Sequence, residues 1–149
     1  MRAVVQRVSR SSVAAGSDTI ASIGAGFLVL LGVEEGDTAS DAAYIVEKVS
    51  GLRVFEDDGG KMNLTLAEVG GEVLLVSQFT LLGDCRRGRR PSFTSSADPV
   101  VAENLYLEVA DGLSGRGHRT RTGRFRAQME VSLVNDGPVT LLLDSRKIF

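Results

Sequence analysis

Val73-Leu74-Leu75-Val76-Ser77-Gln78-Phe79-Thr80-Leu81-Leu82 is the stretch on which the reading of this chain turns. Val73 to Val76 and Leu81 to Leu82 are apolar at successive positions, the mark of a strand covered on both faces. Ser77, Gln78 and Thr80 interrupt the run. In a continuous strand Gln78 and Thr80 share one face and Ser77 and Phe79 the other. A buried polar group without a partner costs about 1–3 kcal/mol. Three of them in four residues therefore imply a hydrogen-bond network, a chain crossing or a site open to a ligand. A second stretch, Val131-Ser132-Leu133-Val134-Asn135-Asp136-Gly137-Pro138-Val139-Thr140-Leu141-Leu142-Leu143, reads as two strand runs flanking a four-residue turn.

Around these two stretches the periodicities predict an α+β architecture. Ala3 to Val13 alternates as a strand, Ala14 to Asp18 turns, and Ile20 to Ile23 returns as its hairpin partner. Phe27 to Val33 is a buried strand. Thr38 and Asp41, three apart, open a helix as a capping box with a shorter acid, and Ala42, Ile45, Val46, Val49 and Leu52 form its apolar stripe. Arg53 to Phe55 is expected to return to the sheet. Asp98-Pro99 begins a second helix as N-cap and first-turn proline. Ala102, Leu105, Tyr106, Val109 and Leu113 are its buried stripe, with Gly112 or Gly115 at its end. Thr120 to Thr122, Met129 to Val134 and Val139 to Leu143 complete the order β-β-β-α-β-β-α-β-β-β. That order predicts a single domain over residues 1–149, a mostly antiparallel curled sheet or open barrel covered by two helices.

Composition narrows the function classes. At 149 residues and 15.8 kDa, with 43% hydrophobic and 24% charged residues, the chain can bury one adequate core. The apolar run Gly26 to Val33 is too short to span a bilayer, and the first thirty residues do not read as a signal peptide. The lone cysteine, Cys85, excludes an internal disulfide and suits a reducing cytoplasm. The net charge of −2 hides an asymmetry: residues 1–80 carry six Lys or Arg and eleven Asp or Glu, residues 81–149 eleven and eight. The excess lies in Arg86-Arg87-Gly88-Arg89-Arg90 and in Arg116, Arg119, Arg121, Arg124 and Arg126. Solvated arginine is one reading. The other is a local phosphate contact, which fits an otherwise acidic chain better than a long nucleic-acid groove does.

Familiar catalytic sets are missing. The one histidine, His118, sits among arginines, and there is no Gly-x-Ser-x-Gly elbow, Walker loop, paired zinc spacing or dinucleotide fingerprint. The carboxylates of Glu56, Asp57 and Asp58 are followed by no further ligands at useful spacing, so no metal is expected. What remains is Ser77 to Thr80, whose hydroxyls, amide and backbone N–H groups suit a developing oxyanion. Beside it stands Asn135-Asp136-Gly137-Pro138, open by spacing alone between a hairpin turn and a loop with a cis X-Pro bond.

At these two stretches the chain resembles the D-aminoacyl-tRNA deacylases of the bacterial and eukaryotic type, over essentially its whole length. The matching residues are Met1 to Val8, Leu30-Leu31-Gly32-Val33, Lys61-Met62-Asn63-Leu64, Ser77-Gln78-Phe79-Thr80-Leu81, Arg89 to Phe93, Thr122-Gly123-Arg124-Phe125 and Asn135 to Thr140. Arg126 departs from the pattern, standing where the family usually has a small residue.

The resemblance implies a homodimer with its active site at the subunit interface, acting on the 3′ end of aminoacylated tRNA. It implies no cofactor and neither DNA nor membrane as partner. Ser77, Gln78, Phe79 and Thr80 would carry the hydrolysis, and Gly137, Pro138, Asn135, Thr140, Arg7 and Phe125 would bind substrate. A cis Gly137-Pro138 would enter the other subunit's pocket, its carbonyls holding the α-amino group and leaving no room for an L side chain. D-aminoacyl esters and glycyl-tRNA(Ala) would be cleared and L-aminoacyl esters spared. Arg7 would fix the turn, and Phe125 would stack on the terminal adenine. Water attack assisted by the ribose 2′-hydroxyl and a covalent Thr80 nucleophile both remain open. The alternative function is a non-catalytic tRNA- or RNA-binding dimer.

Overall fold

One long strand sets the geometry. In a computed structural model describing residues 1–149, β1 (Arg2–Ala15) runs for 14 residues, about twice the common strand length. On one edge β1 shares two partners. β2 (Asp18–Ile23) pairs antiparallel with Ser11 to Ala15, and β3 (Gly26–Gly32) pairs antiparallel with Arg2 to Val8. The partner changes between Val8 and Ser11, and register shifts on either side of Val8 in the pairing of β1 with its other neighbour fall next to that change. Beyond β3 lie β6 (Glu72–Ser77) and then β7 (Arg119–Thr122), each parallel to its neighbour. The order is β2-β1-β3-β6-β7, with β8 (Glu130–Asp144) antiparallel on the other edge of β1. The antiparallel α+β expectation therefore holds, with one parallel trio, β3-β6-β7, forming one side of the sheet.

Two helices cover one face. In α1 (Ala39–Gly51) the Thr38 N–H and hydroxyl donate to the Asp41 carboxylate, at 2.9 and 3.0 Å, which closes the box read from the sequence. In α2 (Pro99–Gly115) the Asp98 carboxylate accepts the Val100 N–H at 2.9 Å. Gly115 ends the helix. Gly112 lies inside it at the crossing with α1, where a Cβ would come within 2.8 Å of Val46. Their stripes bury Ile45, Val49, Tyr106, Val109 and Leu113 against Phe27, Val29, Val73 and Leu75 of the sheet.

Three local expectations are corrected. Arg53 to Phe55 does not rejoin the main sheet: β4 (Arg53–Glu56) pairs with β5 (Met62–Thr65) as a separate two-stranded hairpin. Its turn is built on Asp57, whose Oδ1 accepts the Gly59 and Lys61 N–H groups at 2.9 and 3.1 Å. The strand read as Val73 to Leu82 stops at Ser77, and Phe79–Leu82 is a single 3-10 turn. Its ladder runs out there, since Ser77 pairs with Leu31 and no register partner follows. The chain then turns closely over Gly32, where a Cβ would lie 2.9 Å from the Gln78 carbonyl. The alternating faces assigned to Gln78 and Thr80 do not exist.

The third correction concerns Met129 to Leu143. Both runs belong to one strand, β8, collinear along β1, and the segment between them is not a hairpin. Asn135 pairs with Val8 and Thr140 with Gln6, so Asp136-Gly137-Pro138-Val139 loops out opposite a single residue, Arg7.

Candidate active site

The site is assembled from the places where regular pairing stops. At and just beyond the end of β6, Ser77, Gln78 and Phe79 line a cleft of about 270 Å³. Ala102 and Tyr106 of α2 form one wall, and the connection from Phe125 to Met129 forms another. The Tyr106 hydroxyl donates to the Leu75 carbonyl at 2.8 Å, and burial pushes it up to about 12, so it stays protonated near neutrality. Its ring lies 5.7 Å from that of Phe125. Phe79 is 58% exposed and meets Phe93 edge-on at 5.1 Å, presenting a free aromatic face at the cleft mouth. The Gln78 side-chain amide donates to the Thr80 hydroxyl. Thr80 itself is exposed on the 3-10 turn and does not line the cleft. One turn of helix leaves the N–H groups of its first residues, Phe79 and Thr80, without intrahelical acceptors.

Three lining features were not singled out by sequence reasoning. Tyr106 was hidden in the apolar stripe of α2, and Met129 in a strand run. Ser96 offered no pattern, yet its Oγ is buried without a hydrogen-bond partner beside the cleft.

The second group surrounds the looped-out residues of β8. The Arg7 side chain, 6% exposed, reaches the Asp136 carboxylate at 3.1 Å and the Asp136 carbonyl at 3.3 Å, and it also donates to the Val54 carbonyl. Asn135 ties the neck: its Nδ2 donates to the Arg7 and Val139 carbonyls at 3.0 and 2.9 Å, and its Oδ1 accepts the Thr140 hydroxyl at 3.2 Å. Gln6 donates to the Thr140 Oγ1 at 3.2 Å. Gly137 has φ +116, and a Cβ there would lie 2.9 Å from the Arg7 guanidinium, so the position admits glycine. The Gly137-Pro138 peptide bond is cis, and both residues are exposed.

The candidate residues thus fall into two sets. Ser77, Gln78, Phe79 and Phe125 share the cleft, while Arg7, Asn135, Gly137, Pro138 and Thr140 share the loop, and none of the loop set lines the cleft of its own chain. His118 is elsewhere, beside Gly71, Glu72 and Arg119. It is held below its usual value by burial and then by Arg116. In the basic loop, Arg86 is bound by Asp84 at 2.7 Å, which holds the Asp84 carboxyl well below the carboxylate range. Cys85 is exposed there.

The curled α+β sheet carries a mostly apolar cleft with the hydroxyl and amide groups of Ser77, Gln78, Ser96 and Tyr106 among its lining residues and no nucleophile–base pair. Comparison with known proteins supplies the class. The family model described as D-Tyr-tRNA(Tyr) deacylase matches residues 4–144. D-aminoacyl-tRNA deacylases of Desulforudis audaxviator (strain MP104C) and Thermotoga petrophila (strain ATCC BAA-488 / DSM 13995 / JCM 10881 / RKU-1) are 58% and 55% identical over 149 residues, covering all of both chains. Among solved structures, a c-Myc DNA unwinding element binding protein superposes with TM-score 0.90 at 40% identity, over 97% of this chain and 98% of that one. A probable eukaryotic D-amino acid tRNA deacylase shares the fold, with TM-score 0.80 at 16% identity over 95% and 97%. The chain belongs to the D-Tyr-tRNA(Tyr) deacylase family, a family of ester hydrolases.

Proposed function

We propose that this chain hydrolyses the ester between a D-amino acid and the 3′ ribose of tRNA, as a homodimer whose active site joins the cleft of one protomer to the Gly137-Pro138 loop of the other. The observation that carries the dimeric reading is the separation of the two sets within one chain: residues that must meet one small substrate stand apart, and a second copy supplies the missing half. The exposed face of β8 is consistent with this. It is an unpaired edge that leaves Leu133, Val134 and Leu142 exposed.

The chemistry asks little of the side chains. An aminoacyl ester is already activated, so positioning and oxyanion stabilisation supply most of the acceleration. Water attacks the carbonyl carbon with help from the ribose 2′-hydroxyl. The N–H groups of Phe79 and Thr80 receive the negative charge, and the carbon–oxygen bond to the ribose breaks with its oxygen taking up a proton. The Gln78–Thr80 bond supports placing Thr80 in a positioning role, because no base stands near to take its proton. Phe125 and Phe79 stack on the terminal base. The Gly137 and Pro138 carbonyls bind the α-amino group, and L side chains are rejected by that backbone while glycine and D side chains are admitted. On this reading the protein is a cytoplasmic proofreader that also clears glycyl-tRNA(Ala). No helix of the chain is long and apolar enough to cross a membrane.

Incubation with D-tyrosyl-tRNA and L-tyrosyl-tRNA tests the proposal. Catalytic release of D-tyrosine with the L ester preserved is the expected result. Retention of the tRNA without cleavage would instead make this a non-catalytic RNA-binding dimer.

A further inference from the structure

The cleft at Ser77, Gln78 and Phe79 is lined by one charged side chain, Arg126. Arg126 is exposed, and its guanidinium makes no ion pair or hydrogen bond within the chain; Arg10, Arg121 and Arg124 are likewise unpaired, but none of them lines this cleft. The backbone holds Arg126 at φ +60, in the left-handed region that glycine favours. Phe125 and Ala127 on either side both line the cleft, and the Ala127 N–H closes the turn on the Arg124 carbonyl at 3.2 Å. A long cation is therefore fixed at its root beside an otherwise apolar and neutral wall, with five donors unspent. Arg124, two residues earlier, opens onto a different groove with Thr120, Arg121 and Thr122.

We propose that Arg126 binds a backbone phosphate of the tRNA 3′ end as the terminal nucleotide enters the cleft. The inference rests on the function proposed above. The terminal adenosine stacks on the aromatic wall, and the first phosphate upstream of its ribose is the nearest anion a cleft-side guanidinium can meet. Arginine suits that task through its planar donor fork. The residue would thereby add affinity for the polynucleotide without touching the ester.

The test compares D-tyrosyl-tRNA with 3′-(D-tyrosyl)adenosine, which carries the same ester and base but no phosphate. Arg126→Gly accepts φ +60 without strain, and Arg126→Gln keeps the side-chain length. With either, KM for the tRNA substrate should rise roughly threefold at low salt, well beyond any change on the adenosine ester. The salt slope of tRNA binding should flatten by about 0.7, one single-strand phosphate contact. Arg126→Lys should retain most of that slope. Equal penalties on the two substrates, an unaltered slope, or loss of the slope in the lysine variant would each overturn the proposal while leaving the deacylase reading intact. A wild-type protein that hydrolyses neither ester would remove that reading and this inference with it.

Discussion

Thr80 carries the sharpest question at the scale of single residues. Its hydroxyl is exposed, accepts a bond from the Gln78 amide, and stands outside the cleft lining. Thr80→Ala should therefore keep turnover of D-tyrosyl-tRNA within about tenfold of wild type, the range of one lost positioning contact. Complete loss in a folded protein would restore the covalent route. His118 has a different role, and its titration is a stability matter. Burial and Arg116 lower it in the folded protein, whereas the unfolded chain titrates at about 6.5. Below that pH the unfolded state binds more protons, so stability falls as pH drops towards the folded value and levels off beneath it. Urea midpoints measured from pH 7 to pH 5 should decline less for His118→Gln than for wild type. Parallel declines would mean that the ring does not titrate in this window. Thr80 was visible in the sequence as a polar residue out of pattern; His118 looked like part of a polar, arginine-rich loop, and its burial was not legible there. Tyr106 was not, because its spacing in α2 is that of any core residue and its bond to the Leu75 carbonyl depends on a strand 31 positions away.

Among the elements, the helices were the most legible, because their signals are local. Thr38 with Asp41, Asp98 with Pro99, and two stripes at helical spacing suffice to place α1 and α2. The strands obeyed rules set at a distance. Ser77 ends β6 because its neighbour's register ends, and Asn135 to Thr140 bulges because β1 holds both flanks in line. Neither fact is written in the segment concerned. Asn135-Asp136-Gly137-Pro138 between apolar runs looks like a hairpin turn until β1 is seen to pair with both sides. The loop's stability accordingly resides in its neck. Asn135 alone bonds Arg7, Val139 and Thr140. Asn135→Ala leaves two carbonyls and a hydroxyl without that partner, and should cost about 1–3 kcal/mol of unfolding free energy. If the loop meets substrate, kcat/KM will fall by more than the stability loss explains, because the loop moves even in molecules that stay folded. Denaturant titration alongside steady-state kinetics separates the two. A kinetic loss confined to the unfolded fraction would leave the loop a structural bulge.

For the whole molecule the decisive relation is between two surfaces that one chain keeps apart. The cleft mouth at Phe79 and the Gly137-Pro138 loop both face solvent, and β8 offers its free edge with Leu142 60% exposed. If each active site borrows its loop from the partner, defects in the two halves must complement when carried by different protomers. Take Gly137→Val, whose side chain would collide with the Arg7 guanidinium and displace the loop, and Phe79→Asp, which would spoil the cleft mouth. Each homodimer should be nearly inactive. After the two are unfolded together and refolded at equal concentration, half the dimers are mixed by chance. Each mixed dimer holds one site in which an intact cleft faces an intact loop and one in which both are damaged. Activity should recover to about one quarter of the wild-type value per chain. A protein working as a monomer, or a dimer whose sites are complete within one chain, would recover nothing on mixing. Sedimentation of the mixture confirms that dimers formed, so silence could not be blamed on failed assembly.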